Sequence, residues 1–153
     1  MFYIQDQISL TDSLKVLLGG RFDAFDQKSE DFSSNTETNK SDSAFSPRFG
    51  IVYQPIEPIS LYASYVSSFT PGSGVFLFGG SLDNAFEPER GRQYEVGVKA
   101  DFNDRLSATL AFFDLTRSNV LTEDPNNPGF QIKTGEQNSR GIELSMSEQY
   151  ARN

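Results

Sequence analysis

"YEVGVKADF", residues 94–102, sets Tyr94, Val96, Val98, Ala100 and Phe102 against Glu95, Gly97, Lys99 and Asp101. Side chains on one face of a β-strand recur at every second position, so this stretch is an extended chain with one apolar and one polar face. The pattern fixes the strand. What meets the apolar face, a protein core or lipid, has to come from the rest of the chain.

The same alternation recurs on both sides of it. Toward the N-terminus it predicts strands at 2–10, 14–26, 45–54 and 59–69, and toward the C-terminus at 105–119 and around "RGIELSMS", residues 140–147. In the second of these, Leu14, Val16, Leu18, Gly20, Phe22 and Ala24 face one way; in the sixth, Leu106, Ala108, Leu110 and Phe112 do. The connections differ sharply in length. "TDS" (11–13), the proline-bounded "PIEP" (55–58) and "ND" (103–104) are tight turns. "QKSEDFSSNTETNKSDS" (27–43) reads as a long polar loop, and 70–91 and the stretch around "TEDPNNPG" (122–129) are long as well. No segment has convincing helical periodicity. The fold class is therefore all-β, an antiparallel up-and-down meander of about seven strands with short turns at one end and long loops at the other.

Composition narrows the setting. The chain has 153 residues, 14 Phe and 6 Tyr, yet only 37% are hydrophobic, so apolar side chains are dispersed rather than bundled. Its longest apolar runs, 75–78 and 110–113, fall far short of the roughly 20 residues of a membrane helix. "MFYIQDQISL" has neither a basic start nor a continuous apolar segment, so no secretory signal is read there. With no Cys and no His the chain lacks the commonest transition-metal ligands and the commonest general base, and it cannot form a disulfide. No catalytic and no metal-binding residues are assigned. A net charge of −8 opposes binding to nucleic-acid phosphates.

Bacterial outer-membrane barrels combine these features: strands of about 9–11 residues with alternating faces, short periplasmic turns and long outer loops. On this reading the Val96 face meets outer-membrane lipid and the Glu95 face a polar lumen. A soluble antiparallel sheet or sandwich also alternates, and stays open as the alternative.

At "FEPERGRQYEVGVKADF" (86–102) the chain resembles the β-barrel of TonB-dependent outer-membrane receptors of the ferric-siderophore branch. "YIQDQISLTDSLKVLLGGRFD" (3–23), "FSPRFGIVYQP" (45–55), "LYASYVSSFTPG" (61–72), "FFDLTRSNVLTEDP" (112–125) and "GEQNSRGIELSM" (135–146) resemble further stretches of that barrel, in the same order. The resemblance implies a barrel of about 22 strands filled by a plug domain. It also implies a ferric siderophore as ligand, with iron entering only as that cargo and no cofactor, and energy from the TonB complex acting through the plug. Residues 1–153 would then be a partial barrel domain without the plug, an internal fragment or a truncated product, located in the cell outer membrane. A structural or adhesive barrel, or a soluble β-sheet binding module, is the alternative function.

Candidate site residues fall into two groups. Phe69, Phe76, Phe78 and Phe86 lie among glycines in the second long connection and could offer aromatic surface to a ligand; packing of the loop, or a place at the membrane boundary, is the other reading. Arg21, Arg48, Glu95, Lys99, Asp101 and Glu143 lie on the predicted lumen face, where they would pair with one another or with the plug. Glu87 and Glu89 are set aside as solvated loop acids, and "GSG" (72–74) lacks the Gly-Lys-Ser/Thr continuation of a phosphate loop.

Overall fold

The structure, a computed structural model, describes residues 1–31, 36–70, 88–102, 105–128, 131–133 and 135–148. Its strands are β1 (Phe2–Ser9), β2 (Leu14–Asp31), β3 (Thr36–Ile56), β4 (Ile59–Thr70), β5 (Glu89–Asp101), β6 (Leu106–Ser118), β7 (Leu121–Glu123), β8 (Gln131–Lys133) and β9 (Glu136–Glu148). Seven form one sheet in the order β1-β2-β3-β4-β5-β6-β9, every neighbour antiparallel, while β7 and β8 form a separate hairpin. The expected meander is present, and no described residue is helical.

The ladders show why the alternation keeps its sense from strand to strand. One row joins Ile8, Val16, Ile51, Ala63, Val96, Phe112 and Ile142; the next joins Leu14, Tyr53, Leu61, Val98, Leu110 and Leu144. Between them runs a polar-face row of Ser9, Lys15, Val52, Tyr62, Gly97, Ala111 and Glu143. A slip of one residue would turn the polar set of a strand onto the apolar face, with charges in β2, β3, β5, β6 and β9 and serines in β4, so register is strongly specified.

That apolar face is bare. Val96 is 53% exposed, Ile142 67% and Met146 70%. Among the described residues only Ala44, Phe69, Ala111 and Val120 count as buried hydrophobics, and no large side chain is fully buried. A soluble domain of this size buries a core and does not leave a continuous apolar face to water. Among the described residues no second layer covers this face, and lipid is the solvent that fits it.

The apolar window also slides. In β2 the outward apolar run is centred on Leu18, which lies in one row with Phe49, Tyr65, Tyr94 and Asp114. In β6 the outward run ends at Phe112, so Asp114 is already beyond it. Strands about 4.8 Å apart and tilted by about 40° keep level with a membrane only if each neighbour shifts by about 4 Å, or about one residue. The observed drift from β2 to β6 has that size. Along this row the rings of Phe49, Tyr65 and Tyr94 follow one another at 6.1 and 5.0 Å between centroids; Phe49 lies inside the window of β3, whereas Tyr65 and Tyr94 stand at its outer edge in β4 and β5, where a barrel wall carries its boundary aromatics.

The main departure from the sequence reading concerns 27–43, expected to be a long loop. β2 instead runs to Asp31 and β3 starts at Thr36, paired down to Asp31 opposite Thr36. Above the apolar window both faces of this arm are wetted, so it forms a ladder without an apolar signature. Lys28 pairs with Glu37 at 3.0 Å, and Ser41 donates to Asp26 at 2.5 Å across it. The turn expected at 55–58 is tighter than read: β3 continues to Ile56, with a bulge between Tyr53 and Ile56, and Ile59 pairs directly with Ile56. The expected hairpin turn at 103–104 lies outside the described residues.

The third long connection leaves β6 through Asn119, whose φ of 60° is left-handed, and enters β9 through Gly135 at 88°. Asn119 donates its backbone N–H to Gly135 and its side-chain amide to Pro88, both at 3.0 Å, which ties this connection to the entrance of β5. At its tip, Asp124 accepts the Asn126 backbone N–H and the Asn127 side-chain amide, each at 2.8 Å. The Asn127 amide, and after it the Asn126 N–H, hold the Asp124 carboxyl below its ordinary 3.8. A carboxyl lowered on folding stabilises the turn at neutral pH and loses that contribution only as pH falls through its folded value. The Asn126 amide resonance should therefore stay constant down to about pH 4 and move below it; a midpoint above that value would contradict the turn geometry.

Candidate functional site on the inner wall

Every candidate charge sits on the polar side of the sheet, because each has the strand parity opposite to the apolar rows. Lys99 and Asp101 are brought together at 3.2 Å along β5. Arg21 pairs with Asp23, two residues on, at 2.6 Å. Glu95 accepts from the Tyr62 hydroxyl at 2.8 Å and from the Gln93 amide at 2.9 Å, so both its oxygens are engaged. Arg48 lies between Gly19 and Val66, and Glu143 opposite Ala111; among the described residues neither takes part in an ion pair. Nearer the outer end, Arg117 holds Glu89 at 2.6 Å.

Glycines make room for two rings on this wall. Tyr62 lies opposite Gly97, where a Cβ would come within 2.6 Å of its ring, and Phe113 lies opposite Gly141, where a Cβ would come within 2.7 Å. Each ring lies flat over a neighbouring backbone, the arrangement in which an aromatic covers a strand glycine. Tyr62 is thereby directed along the wall to Glu95.

Phe69 belongs to β4 rather than to the loop after it, because β4 and β5 stay paired out to Thr70 opposite Glu89. It is 7% exposed. Pairing of β4 with β3 ends at Val66, and beyond that point the Phe69 ring packs on Phe25 of β2 with centroids 5.8 Å apart. Arg21 reaches the Phe69 carbonyl at 3.5 Å. The end of β4 thus lies over the inner face of β2 and β3, where Ala44 and Ser46 are also buried and the Ser46 hydroxyl has no hydrogen-bond partner among the described residues. Phe76, Phe78 and Phe86 lie outside the described residues.

The sequence reading missed Tyr62, Gln93, Phe25, Asp23 and Ser46. The i, i+2 spacings of Arg21 with Asp23 and of Gln93 with Glu95 were visible signals, since such pairs share a strand face. Tyr62 with Glu95 was not, because it depends on a register between residues 33 apart. Among the described residues no three Asp or Glu side chains converge as metal ligands. What the wall offers is a polar surface on which Arg21 with Asp23, Lys99 with Asp101 and Arg117 with Glu89 are held in pairs, Glu95 is held by neutral donors, and Arg48 and Glu143 stand outside these pairs.

The profile of the family described as TonB dependent receptor-like, beta-barrel, matches residues 1–151. This chain belongs to that family. Among curated relatives of this TonB-dependent receptor barrel is the metal-pseudopaline receptor of Pseudomonas aeruginosa, 41% identical, with 95% of this chain and 21% of the relative covered. The ferrichrome outer membrane transporter and phage receptor of Escherichia coli is 39% identical, with 93% and 18% covered. The chain therefore spans about one fifth of the length of the curated relatives it matches. Among solved structures, the ferripyoverdine receptor of Pseudomonas aeruginosa bound to ferripyoverdine superposes with a TM-score of 0.72 at 30% identity, covering 98% of this chain and 20% of that one. The two-faced, tilted sheet is thus an arc of an outer-membrane barrel wall.

Proposed function

We propose that this chain is one arc of a receptor that binds a ferric siderophore at the outer face of the outer membrane and takes part in its import. The observation that carries this reading is the sheet itself: apolar outside, ion-paired and wetted inside, tilted as a closed barrel requires, which is the wall of a passage and not of a core. The relatives support the cargo, since they are receptors of metal-pseudopaline, ferrichrome and ferripyoverdine. Energy for import comes from TonB through a plug domain outside this sequence. The chain itself supplies no chemistry to the chelate; the inner wall positions and hydrates the route.

The aromatic residues of the second outer connection, Phe76, Phe78 and Phe86, are the ligand-facing group in this reading, with Phe69 anchoring the root of that connection on Phe25. Titration of the complete receptor with a panel of ferric siderophores tests it: saturable binding of one, with radioiron uptake dependent on TonB, is expected. Binding of none would overturn it. In the same receptor, replacing both Phe76 and Phe78 by Ala should weaken affinity about tenfold, the loss of about 1.4 kcal/mol of contact, whereas unchanged affinity would remove these two rings from the ligand site.

A further inference from the structure

The outward face of β1 carries a charge inside the apolar window. Phe2, Ile4 and Ile8 have the lipid-facing parity, and so does Asp6, which stands between Ile4 and Ile8 and opposite Leu18. Among the described residues it is the one charged residue with apolar outward neighbours on both sides along its own strand. Leu18 centres the outward run of β2, and a slide of about one residue per strand keeps Asp6 within about 5 Å of the membrane midplane. The turn that follows Leu10 is about 10 Å further along the wall, beyond the reach of so short a side chain.

Its neighbours offer nothing to a carboxylate. Val16, Leu18 and Gly20 face it from β2, and among the described residues it takes part in no hydrogen bond or ion pair. An ionisable group set in hydrocarbon is costly, and such groups pair with a partner. Here the partner has to come from the other side of β1. Leu10 donates its N–H to the Leu14 carbonyl at 2.9 Å, so even-numbered residues of this strand turn their backbone groups toward β2, while Tyr3, Gln5 and Gln7 turn theirs toward the open edge. A sheet in hydrocarbon closes, so in the complete receptor a further antiparallel strand occupies that edge. Asp6 and the residue opposite it there form a non-hydrogen-bonded pair, with Cα atoms about 4.5 Å apart and side chains at their closest.

We propose that the strand seated on the open edge of β1 presents an arginine or lysine on its lipid-facing side directly opposite Asp6, and that the two form an ion pair within the hydrocarbon layer. The cation neutralises the carboxylate, and its apolar stem lies along the lipid face. The pair supplies what parity cannot. A slip of two residues between these strands would keep the apolar side chains outward, and a charge pair at one level separates the two registers.

The test uses the complete receptor containing this segment, folded in lipid vesicles. Asp6→Cys is combined with single cysteines placed in turn at the outward positions of the adjoining strand, and the pairs are oxidised. The position that cross-links most readily should hold arginine or lysine in the parent receptor; an apolar residue there would overturn the proposal. Equilibrium unfolding then reads the energetics. Asp6→Leu should lower the folding equilibrium constant on the order of a hundredfold, because it strands the cation in lipid, whereas Asp6→Glu, which keeps the charge, should stay within about fivefold of the parent. A carboxylate that faces bare lipid predicts the opposite sign, so an Asp6→Leu receptor as stable as the parent, or more so, would overturn the pair. Replacing the opposing cation by Leu in the Asp6→Leu background removes both charges and should recover about tenfold or more. This double variant should fold even where Asp6→Leu alone does not, and its failing as the single variant does would show that the two residues are not partners.

Discussion

Leu144→Arg is expected to destabilise the barrel in a bilayer by about 2–4 kcal/mol, the cost of an arginine facing lipid near the midplane. Ser145→Arg, the next residue, should change stability by less than about 0.5 kcal/mol, as a surface substitution on a wetted wall. Leu144 is the middle of the three outward apolar residues of β9 and is 66% exposed. Ser145 points inward opposite Thr109, with Glu143 two residues away on the same face to receive the new charge. The two variants share strand, depth and edge environment, and only the solvent on each side distinguishes them. Denaturant titration of the complete barrel in lipid vesicles reads the difference directly. Similar costs at both positions would mean that the faces meet similar media, and the lipid assignment of the apolar side would fail.

The fold was legible in the sequence because period-two alternation survives wherever one face is apolar. Val96 and Phe112 were assigned to the apolar faces of their strands from parity alone, and the ladders place them in one row with Ile142. The short turns helped, since each fixes the register of the two strands it joins. Legibility failed where the apolar contrast vanished. The arm built by the outer ends of β2 and β3 has water on both faces, so its polar residues read as loop although they pair to the tip. Phe69, the last residue of the predicted strand 59–69, was also grouped with the loop aromatics, because its burial is not visible in the alternation: parity continues the outward apolar face, but β4 leaves β3 after Val66 and carries that face onto Phe25. Of the inner-wall residues, the charges were found because parity marks them, while their partners were found only in part. Lys99 with Asp101 lies along one strand, but Tyr62 with Glu95 requires knowing which residues of β4 and β5 stand side by side.

That cross-strand dependence makes Gly97 the most informative position on the inner wall. By strand propensity alone, Gly97→Val should stabilise β5 by up to about 1 kcal/mol, since a β-branched residue suits a strand and glycine does not. With Tyr62 present the opposite is expected, a loss of about 1–3 kcal/mol, because the added carbon would come within 2.6 Å of the Tyr62 ring. The ring would have to swing off the wall, and its hydroxyl would lose Glu95, now 2.8 Å away. In a Tyr62→Ala background the obstacle is gone and Gly97→Val should become neutral or stabilising. The sign of the effect therefore reverses with the residue across the ladder, which a double-mutant cycle measures as a coupling energy of about 1–3 kcal/mol. A cost for Gly97→Val that is the same in both backgrounds would show that the glycine answers to its own backbone and not to the ring. If the reversal is found, the same pairing should govern Gly141 and Phe113 two ladders over. The two glycines would then hold their rings flat against the sheet, leaving the lumen open and the Glu95 carboxylate fixed on its wall.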